Sequence, residues 1–169
     1  MPIFPANMNR FDPYKAFRFL VYFESAPTTP VAAVSKVSAL KRTSDVIEYK
    51  EGGNALIRKG LGRTKYEPIT LERGLTQDPA FQAWADHSQA LSSGAPQTSL
   101  KNLRQNILIT LLNEAAQPVI RYKVYRCWVS EYQALPDLDG GGNAVALEHI
   151  KLENEGWERD ATLQEPAEI

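Results

Sequence analysis

The 169-residue chain is poor in the residues that most often carry chemistry, with one cysteine, two histidines and two methionines. A single cysteine, Cys127, excludes an intramolecular disulfide framework, which fits folding in a reducing compartment. His87 and His149 do not stand at a metal-ligand spacing with the cysteine or with each other, so no zinc constellation is present. Neither sign of charge is in excess: 19 Lys and Arg face 20 Asp and Glu, for a net charge of −1. Nothing global therefore argues for nucleic acid or an anionic membrane as a partner. No stretch approaches the run of about 18 apolar residues that a membrane span needs. Met1 to Phe17 has no apolar run of signal-peptide length behind a basic start. The expectation is a protein without stable membrane insertion.

The local patterns that imitate active sites dissolve on inspection. Cys127 stands beside Trp128 in a predicted strand, where a buried cysteine behaves as a small hydrophobe. His87 falls on a predicted helix as an exposed residue, and His149 alternates within a predicted strand. Asp137, Asp139, Gly142 and Glu148 imitate a calcium-loop spacing, but Gly141 occupies a ligand position and the flanks read as strands rather than helices. Loop formation explains the DLDGGGN run more simply. Gly60-Leu61-Gly62 opens a dinucleotide-type motif, but Lys65 takes the place of the third glycine and no lysine–serine pair follows a glycine run. No nucleophile, base and orienting group are brought together. The reading is a protein that is not an enzyme, with no cofactor and no metal.

What remains is an ordinary globular composition, 43% hydrophobic and 23% charged, with 11 prolines and 10 glycines that favour turns and strands over long helices. At this length a domain buries roughly 70% of its unfolded surface, enough for its own core. Phe17, Phe19, Val21 and Phe23 alternate with Arg18, Leu20, Tyr22 and Glu24 at strand period. Ala26–Pro30 reads as a turn, and Val31–Ser38 and Asp45–Tyr49 as short strands. Glu51–Arg63, with Gly52, Gly53, Gly60 and Gly62, is expected to be a long exposed loop, because glycine weakens a strand, and loops of that length are often functional. Tyr66–Arg73 resumes strand character, with Pro68 placing it at an edge or a bulge.

One helix is predicted over 78–91, with Asp78 at its N-cap, Pro79 at its first position, and Phe81, Trp84 and Leu91 facing the core. Ser92–Ser99 reads as a loop. Ile107–Leu112 forms a strand, Asn113–Pro118 turns the chain, and Ile120, Tyr122, Val124, Arg126 and Trp128 line one face of a return strand. Pro136–Asn143 is a loop, and Val145–Glu153 the last strand. The apolar phase of that strand shifts between Leu147 and Ile150, which suggests a bulge or burial on both faces. Gly156 ends it, and Trp157–Ile169 reads as an acidic tail. The sum is a mostly-β domain of about seven strands with one flanking helix, a sandwich or partly closed barrel. Its divisions are an N-terminal arm (1–10), a β domain (11–160) and an acidic C-terminal tail (161–169).

Charge is uneven along this frame. Lys36 to Arg73 carries nine basic and five acidic residues, and Glu153 to Ile169 six acidic and one basic. Such a chain can complement a copy of itself, although taken alone the pattern reads more simply as two solvated surfaces. The cluster Arg58, Lys59, Arg63 and Lys65 can contact phosphates, but Glu48, Glu51 and Glu67 stand close in sequence, and ion pairing with another subunit is the better reading.

Four segments, in order, resemble the tail tube protein family of contractile phages and extracellular contractile injection systems. They are DPYKAFRF at 12–19; VSALKRTSDVIEYKEGG at 37–53; GRTKYEPITLERG at 62–74 with the helix bearing Phe81 and Trp84; and Trp128 with NAVALE at 143–148 and EGWER at 155–159. The likeness spans about Phe11 to Asp160. It implies a β-sandwich or barrel with a flanking helix, six subunits per ring, rings stacked into a tube, and neighbouring strands joined into one barrel lining the lumen. The glycine-rich segment Glu51–Tyr66 would reach toward the adjacent ring. The contact residues so implied are Glu48, Glu51, Gly52, Gly53, Arg58, Lys59, Arg63 and Lys65, with Glu155 and Arg159 as complements. The implied partners are copies of the chain itself, a surrounding sheath, baseplate and cap or terminator proteins, and DNA or protein cargo in the lumen. The implied setting is assembly in the bacterial cytoplasm and membership of a phage or phage-tail-like particle. A baseplate-end initiator or adaptor subunit, and a monomeric β-barrel binding module, are the alternatives.

Overall fold

The structure is a computed structural model that describes residues 3–31, 33–94, 100–101 and 103–168. The elements in chain order are β1 (Phe19–Phe23), β2 (Val34–Val37), β3 (Arg42–Lys50), β4 (Ile57–Tyr66), β5 (Ile69–Gly74), α1 (Ala80–Ser92), β6 (Gln105–Leu112), β7 (Pro118–Gln133), β8 (Leu147–Glu153) and β9 (Trp157–Arg159). Part of the loop predicted at 92–99 lies outside the described residues; Ser92 itself ends the helix.

Among the described residues, six strands form one antiparallel path, β1-β6-β7-β8-β5-β2, a seventh, β9, also pairs with β7, and β3 and β4 pair only with each other. The long strand β7 holds the body together. Its first half lies between β6 and β9, and its second half pairs with β8. The layers close over a core of Val21, Ile69, Leu71, Phe81, Trp84, Ile107, Val124, Cys127, Ile150 and Leu152. The path is not closed: β1 and β2 are its two ends.

Phase changes explain several differences from the sequence reading. The expected single face from Ile120 to Trp128 breaks at Arg126, a non-glycine residue at φ 52° where the β6–β7 register slips. Beyond that bulge Cys127 and Val129 point inward and Trp128 outward. Conversely, β8 has no bulge where one was suspected. It alternates regularly, and the apolar phase is interrupted because Glu148 takes an inward position. Nor is β8 the last strand: the segment read as tail from Trp157 begins with β9, after a turn in which Gly156 sits at φ 135°. Pro68 does not mark an edge. It separates β4 from β5, and β5 is an interior strand between β8 and β2.

The helix begins two residues later than predicted. Asp78 still serves its start, its Oδ1 accepting from the Ala80 N–H at 3.1 Å, but Pro79 occupies the cap position. Phe81, Trp84 and Ala85 are buried, whereas Leu91 is only half-buried. Arg73 ties this helix to the sheet. Its wholly buried guanidinium donates to Glu148 Oε1 at 2.5 Å, to Asp78 Oδ2 at 2.9 Å and to the Asp78 carbonyl at 2.6 Å, and lies over the Phe81 ring. Tyr132 donates to the second oxygen of Glu148. A buried charge is tolerable only when paired and hydrogen-bonded in this way.

The two ends of the chain meet. Arg10 is stacked between Phe4 and Tyr14 and ion-paired with Glu114, in the β6–β7 turn, and with Glu168. Glu165 accepts from the Ala6 N–H, Asn7 and Tyr14. Burial and the Glu165 hydrogen bond push the Tyr14 hydroxyl up to about 12.

Candidate functional site: an open-edged body and a projecting ribbon

The segment expected to be a long loop at 51–63 is a β-hairpin. Only residues 51–56 form the connection, and Gly60 and Gly62 lie inside β4. The objection to glycine in a strand applies to a packed sheet centre, and this ribbon has no packed face. Gly62 has a positive role: a Cβ there would stand 2.8 Å from the Asp45 carbonyl, where the β3–β4 register slips. Gly53, at φ 88°, shapes the turn.

The ribbon continues the β2–β5 pair outward. Ser38 N–H donates to the Thr70 carbonyl and Glu67 N–H to the Lys41 carbonyl, linking the two ladders. From Tyr66 to Ile57 the strand runs roughly 30 Å at about 3.3 Å per residue. Its base rests on the β8–β9 turn, with Tyr66 edge-on to Trp157, Arg42 over the same indole, and Asn154 donating to the Glu67 carbonyl.

Register assigns the ribbon's faces. Val46 opposes Leu61, Glu48 opposes Lys59 and Lys50 opposes Ile57 on one face; Ile47 opposes Gly60 and Tyr49 opposes Arg58 on the other. Val46 is 62% exposed, Leu56 73% and Leu61 80%. Ile47, Tyr49 and Ile57 are exposed as well. Such an apolar surface on a slender hairpin is the mark of an interface rather than of a finished monomer. Sequence reading missed these residues. The adjacent pair Val46-Ile47, which puts an apolar side chain on each face of one strand, was the available signal.

Eight of the ten sequence-predicted contact residues fall on this ribbon or its turn: Glu48, Glu51, Gly52, Gly53, Arg58, Lys59, Arg63 and Lys65. The other two do not join them. Glu155 sits in the β8–β9 turn, bonded to Arg126 at 2.8 Å and close to Arg104 at 3.9 Å, and Arg159 lies on β9 opposite Tyr122. The acidic tail is likewise engaged within its own chain: Glu158 with Tyr125, Asp160 with Arg121 and Glu168 with Arg10.

The remaining chemical candidates are structural. Cys127 is wholly buried, and burial pushes its thiol up to about 12, the opposite of an activated nucleophile. His149 lies 3.4 Å from Glu131 on an outward face. His87, expected to be exposed, is half-buried, with Nε2 buried and without a partner.

An unclosed sheet together with a coreless ribbon defines a class of protein, the subunit that is completed by other subunits. The sequence model of the family described as T4-like virus tail tube protein gp19 matches residues 15–158, and the chain belongs to that family. Among solved structures, a chain of the anti-feeding prophage baseplate is 26% identical, with a TM-score of 0.70 over 89% of this chain and 97% of that one. A chain of the anti-feeding prophage cap is 23% identical, with a TM-score of 0.72 over 95% and 99%. A chain of the sheath–tube complex of the extracellular contractile injection system PVC is 22% identical, with a TM-score of 0.70 over 88% and 92%. No curated protein sequence matches significantly. The chain is thus a tail tube protein of contractile injection systems, a component of phage-tail-like particles or virions, and its family is one of structural tube proteins. The monomeric binding-module reading is not favoured. Among the described residues no helix is long and apolar enough to cross a membrane.

Proposed function

We propose that the protein is the repeating subunit of a hollow inner tube, with six copies per ring and rings stacked through the β3–β4 ribbon, and that it performs no catalysis. The observation that carries this reading is the ribbon itself. It projects beyond the core with apolar residues on both faces, and nothing among the described residues covers them. Glu48, Glu51, Gly52, Gly53, Arg58, Lys59, Arg63 and Lys65 make the contacts to the adjacent ring; Glu155 and Arg159 contribute from the body at the ribbon's base. Ring closure satisfies sheet edges that are a liability in a lone copy, and heterologous ring-to-ring contacts repeat without closing, which makes a tube rather than a particle of fixed size.

The same reading gives the tube a surrounding sheath, a cap or terminator at one end and a baseplate at the other, the parts of the particles from which the similar structures come. The lumen passes DNA or protein cargo, and assembly takes place in the bacterial cytoplasm. Electron microscopy of the purified chain at rising concentration tests this. Sixfold rings and stacked tubes are expected. A species that stays monomeric at the highest concentration, with no rings, overturns the reading.

A further inference from the structure

We propose that the ribbon of one copy is received by the β7–β8 loop of a second copy in the next ring, residues 134–146, at the end of the body away from that copy's own ribbon. This rests on the tube reading above and names the surface that the ribbon meets.

Stacking polarity fixes where such a surface must stand. Rings stacked in one direction bring one end of a subunit against the opposite end of the next. The receiver of the ribbon is therefore at the end from which the ribbon does not leave. The ladders define both ends. At the ribbon end Ile69 pairs with Leu152 and Trp128 with Glu153; at the other end Gly74 pairs with Leu147 and Gln133 with His149. Between these ends β5 runs roughly 20 Å at about 3.3 Å per residue. The connection from Gln133 to Leu147 thus caps the far end of the sheet. It is fastened there. The Leu75 N–H donates to the Ala146 carbonyl at 3.0 Å, and Glu148, at the start of β8, is held by the buried Arg73.

The loop carries an apolar surface of its own. Leu138 is 73% and Val145 77% exposed, and Leu135 and Leu75 are exposed beside them in the chain and across the Leu75–Ala146 bond. Exposed apolar residues gathered on one loop mark an interaction surface. A cleft of about 160 Å³ lies between the two limbs of the loop, lined by Pro136, Leu138, Ala144 and Val145 among others. That is below the roughly 300–1,000 Å³ of a small-molecule site and suits the side chains of a protein partner.

Charge selects the partner. The acidic tail, which complements the basic segment in sequence, is engaged within its own chain. The loop 134–146 has two charged residues, Asp137 and Asp139, both acidic and both exposed. The ribbon, residues 42–66, has six basic and three acidic residues. The order of residue types matches as well. Asp137-Leu138-Asp139 sets an apolar side chain between two acids, and Leu56-Ile57-Arg58-Lys59 sets apolar side chains beside two bases. Opposed charges give such a contact its register and specificity more than its strength; the apolar residues supply the buried area. Asp139 also shapes the loop, its Oδ1 accepting from the Gly141 N–H at 2.9 Å. The acidic spacing that imitates a calcium loop is in this way a docking feature.

Complementation between two disabled rings tests the pairing. L56S/I57S/L61S disables the ribbon end, and D137K/L138S/D139K/V145S the loop end. Each variant alone is expected to lose stacks and keep single rings. Mixed, they are expected to give pairs of rings and nothing longer, because the native ribbon of one still meets the native loop of the other. A loop variant that stacks like wild type overturns the assignment and leaves the tube reading standing. A mixture that stays as single rings overturns it too. If the wild-type chain makes no rings, the tube reading itself fails. Should either variant form no rings, or the ribbon variant still stack, zero-length carbodiimide cross-linking of wild-type tubes decides. Peptide mapping is expected to join Lys50, Lys59 or Lys65 to Asp137 or Asp139, and the absence of every such link overturns the proposal.

Discussion

The body and the ribbon are both β-structure, yet they are held together by different things. In the body, Ile69, Leu71, Phe81, Ile107, Ile150 and Leu152 are wholly buried, and burial of such side chains contributes about 1.5–3 kcal/mol each. In the ribbon, every residue of β3 except Ser44 is exposed, and so is every residue of β4 except Gly62 and, at its base, Tyr66. A two-stranded hairpin alone is marginally stable in water. The body therefore stabilises itself, whereas the ribbon has little packing of its own, which is what the proposed ring-to-ring contact would supply.

The largest expected effect breaks the body. E148A removes the carboxylate from the buried Arg73 guanidinium and leaves Asp78 as its one acidic partner. Truncating one member of a buried pair costs about 3–5 kcal/mol. Denaturant unfolding is expected to show that loss, and a change below about 1 kcal/mol contradicts the anchoring role given to Arg73.

Next comes the place where the ribbon does have a packing constraint. G62A puts a methyl group 2.8 Å from the Asp45 carbonyl, whereas at Gly60 the nearest atom is 3.8 Å away. Overpacking of this kind costs roughly 1–3 kcal/mol. Faster amide exchange across 43–65 is expected for G62A and not for G60A, with exchange in the body unchanged. Equal effects of the two substitutions would remove the reason given for Gly62.

A smaller effect concerns the junction of the chain ends. The hydrogen bond from Arg10, and then a backbone hydrogen bond, hold the Glu114 carboxyl at about 2. Hydrogen bonds from Asn7, the Ala6 N–H and Tyr14 lower Glu165, against the opposing effect of burial. A carboxyl lowered in the folded state stabilises above its ordinary value, and that contribution is lost as pH falls through the folded value. Between pH 4.5 and about 2, exchange of the amides of residues 4–10 is expected to rise before that of the core. R10A is expected to bring the same release at neutral pH. Simultaneous opening of arm and core would show that the junction is not a separate unit.

Much of the body was legible because alternation survives in sequence: Phe19-Val21-Phe23 in β1, and Phe81 with Trp84 in α1, sit where their spacing put them. The rest failed for identifiable reasons. Arg126 hides a bulge, since no residue type announces a phase change. Glu148 looks like a break in a strand until Arg73, 75 residues away, is seen to meet it. The glycines of β4 read as loop because the rule against glycine in strands assumes a packed face. The candidate contact residues on the ribbon were named from resemblance and from charge, while the exposed apolar ones beside them went unnoticed.

The smallest expected effect on folding is also the sharpest test of the contrast. Leu56, Ile57 and Leu61 are 73%, 54% and 80% exposed, so replacing all three by serine removes almost no buried contact from the lone chain. Surface substitutions of this kind change stability by about 0.5 kcal/mol or less each. Unfolding of the body is expected to be unchanged in the triple variant, while stacked tubes are lost and single rings remain. If instead the body is destabilised, the ribbon packs on its own chain in solution, and the division between a self-sufficient core and a borrowed interface fails. If stacks form normally, the ribbon's apolar faces are not what the rings hold on to, and the basic residues Arg58, Lys59, Arg63 and Lys65 carry the contact alone.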